Sequence, residues 1–234
     1  MSEALRRTGI AGNPGEYFNP YLDTGKFRSE FLGIKADAEY LQGVINASTT
    51  QNGVFGTKIH FGQIPLFLSR IRAEGRVFGT SPFSVFAARF PNLRYIWLRR
   101  KNEVRQAISL YRASMTNVWW KFAKETPRLY EYKPIEKPGR DRDFDFDGIN
   151  RCLSDIRINT ARWSEFFDRS GGIPFRLTYE DLDKEYGGTV VRVLNFLGLP
   201  VPATIPPKNM ERQADGRTDA WEKKFLQYLR RSRG

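Results

Sequence analysis

Tyr95-Ile96-Trp97-Leu98-Arg99-Arg100, continued by Lys101-Asn102-Glu103-Val104-Arg105-Gln106-Ala107-Ile108-Ser109, decides how this chain is read. An apolar run of strand type ends in two arginines, and a helical period begins almost at once. Val104, Ile108, Tyr111, Met115, Val118 and Phe122 recur at three- and four-residue steps, which predicts one apolar face of a long helix. A strand that feeds a helix in an α/β sheet places its carboxyl end at the ligand crevice. Arg100 is expected at that crevice, with Ser109 on the helix that starts beside it. A guanidinium with a nearby hydroxyl receives a phosphate through a planar fork plus one further donor. The two arginines also read as a solvated strand end, and pattern alone leaves both readings open.

Working outward, Gly12 to Asp23 is loop-like, with Pro14 and Pro20 as breakers, and residues 26–48 carry a weak helical pattern. Val54 to Ile59 predicts a short strand, Ile64 to Ala73 a helix, and Phe83 to Phe90 a second helix behind a Ser81-Pro82 start signal. Ile149 to Phe167 predicts a helix, Pro174 to Thr178 a strand, and Gly187 to Leu197 a helix stopped at Gly198. A closing helix is expected from Trp221. Strands alternating with helices argue for an α/β fold: a parallel sheet flanked by helices. Residues 126–147, rich in proline and charge, read as a long loop or lid, though a disordered insertion fits as well.

The chain has 234 residues, enough for a sizeable core, and is read as a single domain over 1–234. Its 40% hydrophobic content, with 18 Phe, 10 Tyr and 5 Trp, excludes wholesale disorder. A formal net charge of +12 predicts a positive field, which suits a nucleic acid, an anionic membrane or a small polyanion such as a phosphorylated nucleotide. The arginines are scattered, and no helix-turn-helix, RNP-type strand or zinc motif occurs, so nucleic acid is not the expected partner. No leader-type segment and no apolar run of membrane-spanning length is read, and cytoplasmic residence is the expectation. The single cysteine, Cys152, lies on an apolar helical face with Ile149, Leu153 and Ile156 and reads as a buried inert thiol. One Cys and one His leave a metal site implausible, so no metal is expected.

Several blocks occur in a recognisable order. They are Thr8-Gly9-Ile10-Ala11-Gly12-Asn13-Pro14-Gly15-Glu16-Tyr17-Phe18, Asn52-Gly53-Val54-Phe55-Gly56-Thr57-Lys58, and Leu98-Arg99-Arg100 running to Gln106-Ala107-Ile108-Ser109. Tyr179-Glu180-Asp181-Leu182, Phe196-Leu197-Gly198-Leu199-Pro200 and Arg212-Gln213-Ala214-Asp215 leading to Trp221 complete them. In these the chain resembles bacterial sulfotransferases of the Stf0 type, the group that includes the trehalose 2-sulfotransferases. The resemblance implies a P-loop-like sulfotransferase fold. It also implies a first strand and a Ser/Thr-rich loop for the 5′-phosphosulfate of PAPS (3′-phosphoadenosine 5′-phosphosulfate) ahead of Met1. The chain is therefore expected to be N-terminally truncated, its opening residues reading as the later part of the first helix.

The same resemblance implies a PAPS-dependent transfer of a sulfuryl group to a carbohydrate hydroxyl of trehalose, a glycolipid or a lipopolysaccharide sugar, by a homodimer. A catalytically impaired relic that at most binds 3′-phosphoadenosine nucleotides is the alternative. Arg100 and Ser109 are implied to hold the 3′-phosphate, with Arg212 as second arginine and Arg217 as its alternative. Glu16, in Gly12-Asn13-Pro14-Gly15-Glu16-Tyr17-Phe18, is the implied general base; without the family it reads as an ordinary loop carboxylate. Lys58 is a candidate for the acceptor pocket or for charge stabilisation. In the pair Trp119-Trp120, flat apolar faces suit a sugar ring, and core packing competes with that reading. The lone His60 is set aside as a packed or surface residue, although many sulfotransferases outside this group use histidine as base.

Overall fold

The computed structural model describes residues 1–21, 27–34, 39–75, 79, 81–116, 118–119, 143–210 and 216–231. Helices dominate, around a small parallel sheet, so the chain is a mixed α/β protein. Two compact units emerge. The described parts of Met1–Arg99 and Trp163–Lys208 form one, and those of Arg100–Pro127, Glu131–Arg162 and Asn209–Gly234 form the other.

The first unit opens with α1, Ser2–Thr8, which Gly9 stops in the left-handed conformation that glycine adopts without a Cβ penalty. A π-helical turn, Phe27–Phe31, and then α2, Tyr40–Ser48, stand where one helix over 26–48 was expected. Gly33, at φ 65°, turns the chain between them. After a single 3₁₀ turn, Phe61–Gln63, come α3, Ile64–Ala73, and α4, Pro82–Arg89. Ser81 caps α4, accepting from the Ser84 N–H at 3.2 Å, as the Ser-Pro signal predicts.

Strands β1, Ile96–Arg99, and β2, Phe175–Thr178, pair in parallel with Trp97 opposite Arg176 and Leu98 opposite Leu177. The expected strand over Val54 to Ile59 is not part of this sheet. Phe55 makes one isolated antiparallel bridge with Thr49, and the donors beyond it go elsewhere, Gly56 N–H to the Ser48 carbonyl and Lys58 N–H to the Gly15 carbonyl. An extended segment facing an irregular, proline-containing loop finds partners for its N–H groups without building a ladder.

Behind β2 sits α7, Tyr179–Lys184, a short helix that the sequence reading passed over. Its signal was present: Thr178 accepts from the Asp181 N–H at 3.1 Å, and its hydroxyl donates to Asp181 Oδ2 at 2.6 Å. Next is α8, Tyr186–Leu197, ended by left-handed Gly198 as expected. The core of this unit is aromatic around Tyr17, Phe18, Tyr40 and Phe67, with a second cluster of Leu5, Leu177, Val190, Val193 and Leu194.

The second unit is built from α5, Glu103–Thr116, α9, Gly216–Arg231, and the N-terminal part of α6, Phe146–Ser170. Ile108 and Tyr111 of α5 meet Ile149, Leu153, Trp221 and Phe225. The predicted apolar face is thus present through Met115. However, α5 ends at Thr116, Val118 is exposed, and Phe122 falls outside the described residues. The Thr116 hydroxyl donates to the Arg112 carbonyl at 2.9 Å and accepts from the Val118 N–H at 3.3 Å, closing the last turn locally. Asp145 starts α6, accepting from the Gly148 N–H at 3.0 Å. Cys152 is half-buried beside buried Ile149, Leu153 and Ile156, and burial pushes its thiol up, as an inert thiol requires. Residues 126–142, most of the expected lid, lie outside the described residues.

Candidate active site

The loop from Gly9 to Asn19 carries Glu16, and the segment from Ser48 to His60 braces it. Asn13 N–H donates to the Ser48 carbonyl at 2.9 Å, and Gly12 N–H to Thr50 Oγ1 at 3.2 Å. The Thr57 hydroxyl donates to the Gly15 carbonyl at 3.2 Å. Gly12 lies at φ 73°, and a Cβ there would stand 2.5 Å from the Gly56 nitrogen, so two glycines let the backbones touch. Below the loop, Tyr17 and Phe18 are fully buried; the Tyr17 hydroxyl donates to the Asn13 carbonyl at 2.6 Å, and the Tyr40 hydroxyl donates to the Tyr17 carbonyl. Glu16 therefore stands on an anchored loop.

Lys58 Nζ reaches Glu16 Oε1 at 2.6 Å, and His60 Nε2 approaches the same oxygen at 3.3 Å. Asn19 Nδ2 lies 3.4 Å from Oε2. Burial by itself would push the Glu16 carboxyl up. The hydrogen bond with His60 and the charge and hydrogen bond of Lys58 outweigh burial and hold it well below the usual carboxylate range. The result is a carboxylate whose ionised form is favoured, with a cation at its side.

Of the residues expected in the site, the structure brings Glu16 and Lys58 together, both in the first unit. Arg100 follows directly on β1 and is half-buried, and Ser109 is half-buried on α5. Trp119, past the end of α5, is 42% exposed, which removes the core-packing reading for that ring. Trp120 and Arg212 lie outside the described residues. Arg217, in the first turn of α9, lies over the Trp221 ring. No group of three metal-ligating side chains gathers among the described residues.

His60, set aside in the sequence as a packed or surface residue, has an exposed ring that lies beside Glu16.

The sequence model of the Stf0 sulphotransferase family matches residues 1–228, nearly the whole chain. The chain belongs to that family. Similar proteins include a trehalose 2-sulfotransferase of Mycobacterium tuberculosis (strain ATCC 35801 / TMC 107 / Erdman), 25% identical over 96% of this chain and 88% of that protein. Another is a trehalose 2-sulfotransferase of Mycolicibacterium smegmatis (strain ATCC 700084 / mc(2)155), 27% identical with the same coverage. By family, then, this Stf0 chain is a sulfotransferase. No helix among the described residues is long and apolar enough to cross a membrane.

Proposed function

We propose that this chain moves a sulfuryl group from PAPS to a sugar hydroxyl, with Glu16 as general base. The observation that carries the reading is the ionised Glu16 held against Lys58 on a braced loop, in a family of sulfotransferases. PAPS supplies an activated sulfuryl group and a phosphate leaving group. A sugar hydroxyl is too weak an acid to ionise near neutral pH, so a base must take its proton as the new bond forms. Glu16 meets the first requirement, since it is ionised throughout that range. Its ion pair with Lys58 also restrains its basicity. As negative charge grows on the leaving phosphate, the Lys58 ammonium is drawn toward it, and Glu16 becomes the stronger base.

Arg100 and Ser109, with Arg212, are the proposed receivers of the 3′-phosphate. Binding at that remote phosphate fixes the reacting sulfur. Trp119, with an exposed ring, is the proposed platform for the acceptor sugar, with trehalose, a glycolipid or a lipopolysaccharide sugar as acceptor class; the similarity to two trehalose 2-sulfotransferases puts trehalose first.

Calorimetric titration with 3′-phosphoadenosine 5′-phosphate tests the donor site. Micromolar binding is expected, weakened about tenfold to a hundredfold in Arg100→Ala, the loss of a charged hydrogen-bond donor to phosphate. No binding by the folded chain, or equal binding by the variant, contradicts the assignment.

A further inference from the structure

The parallel sheet brings two arginines to one ring. Trp97 and Arg99, two apart on β1, leave the sheet on the same face, and the register sets Arg176 of β2 beside Trp97. Arg99 Cζ lies 5.1 Å and Arg176 Cζ 5.2 Å from the centroid of the Trp97 ring. Trp97 is buried and backed by Phe167 at 5.3 Å, while both arginines are exposed. One guanidinium over an indole is an ordinary cation–π contact. Two on the same ring bring like charges together, and among the described residues neither makes an ion pair with a carboxylate. Asp181, whose Oδ2 accepts from the Thr178 hydroxyl at 2.6 Å opposite Arg99 in the register, pairs with neither. A guanidinium stacked on an aromatic ring has its plane fixed and keeps its N–H edges for hydrogen bonds. From Trp97 a row of rings runs through Phe167 and Trp163 to Phe61, in steps of 5.3, 5.6 and 5.3 Å. Phe61 follows His60, whose ring lies beside Glu16, so the arginine pair and the proposed base belong to one packed unit.

We propose that Arg99 and Arg176, seated on Trp97, form a subsite for a phosphate or sulfate ester carried by the acceptor sugar. Naming the acceptor as carrier rests on the transfer proposed above; the anion site itself does not. Two planar forks suit a tetrahedral dianion, which accepts from both and offsets the repulsion between them. The 3′-phosphate of the donor is already given Arg100, Ser109 and Arg212, so this pair is surplus to it. Arg99 is the last residue of β1, and the carboxyl ends of parallel strands are where α/β folds place their ligands. A neutral sugar leaves the pair unfilled. A sugar with an ester group is held at a point remote from the reacting hydroxyl, and that binding helps to orient it.

Calorimetric titration with trehalose 6-phosphate, beside trehalose itself, reads the site without requiring turnover. The ester is expected to bind the wild-type chain about tenfold tighter than the neutral sugar, or more. Arg99→Gln and Arg176→Gln are each expected to weaken ester binding by about tenfold or more, the loss of a charged hydrogen-bond donor. Arg94→Gln removes an exposed arginine stacked on Phe196 instead and is expected to leave ester binding unchanged. That control separates a local site from the general field of a chain with net charge +12. Binding of 3′-phosphoadenosine 5′-phosphate is expected to be the same in all three variants. Equal affinity for ester and sugar overturns the proposal, as does equal loss in Arg94→Gln and the two site variants. Weakened nucleotide binding in Arg99→Gln and Arg176→Gln also overturns it, by assigning the pair to the donor. A chain that binds the ester through the pair but transfers no sulfuryl group keeps the anion site and contradicts only the sulfotransferase reading.

Discussion

Glu16 shows what a single residue owes to its neighbours. Burial opposes its charge, yet two donors on Oε1 reverse the balance and hold its carboxyl low. A depressed folded-state value stabilises the fold above the usual glutamate range, near about 4.3, and that stability is lost as pH falls through the folded value. The stability gap between wild type and Glu16→Gln, measured by denaturant titration, is therefore expected to be widest near about pH 6–7 and to narrow below about pH 4. A gap independent of pH contradicts the ion pair. Glu16 was legible in the sequence only through its family block, because a loop glutamate has no periodicity to announce it. Lys58 was legible as a candidate and His60 was set aside. What joins them to Glu16 is a contact between segments more than forty residues apart, and no local pattern encodes that.

Among the elements, α5 and α9 are tied by a polar network that pattern reading did not anticipate. Arg105 Nε donates to Glu222 Oε2 at 2.6 Å and a second guanidinium nitrogen donates to Asp219, while Asn102 Nδ2 donates to Glu222 Oε1 at 2.6 Å. The same Asn102 accepts from the Arg105 N–H at 2.9 Å, and Arg112 Nη1 donates to Thr218 Oγ1 at 3.2 Å. The network pins the first turns of α9, the helix that follows the segment carrying Arg212. Arg105→Ala is expected to lower stability by about 1–2 kcal/mol, the lower end for hydrogen bonds to charged groups because the guanidinium and Asp219 are partly exposed, read as a drop of a few degrees in Tm. An unchanged Tm makes the network ornamental. Helix periods on α3, α5, α6 and α8 were plain in the sequence, as was the Gly198 stop. The segment from Val54 to Ile59 looked like a strand for a good reason. It makes one bridge, Thr49 with Phe55, and beyond it its N–H groups go to the carbonyls of Ser48, at the end of α2, and of Gly15, and side-chain alternation does not tell a ladder from a lone bridge.

For the molecule as a whole, apolar patterning predicted the face of α5 and that of α6 around Cys152, and little of the chemistry. The clusters around Phe18 and Phe67, around Val193 and Leu194, and around Ile108 and Trp221 follow from amphipathic faces that must be covered. The net charge of +12 fits an anionic substrate without choosing one. The family match over residues 1–228 supplies the reaction class, and the Glu16–Lys58 pair is the place proposed for it. The measurement that bears most directly on this account is transfer of radiolabelled sulfuryl from PAPS to trehalose by the wild-type chain and by Glu16→Gln, with donor binding followed in parallel. The account predicts labelled sugar from the wild type, a loss of about a hundredfold or more in kcat for the variant, and unchanged donor binding. Absence of label with the wild type, or equal rates in both proteins, contradicts it.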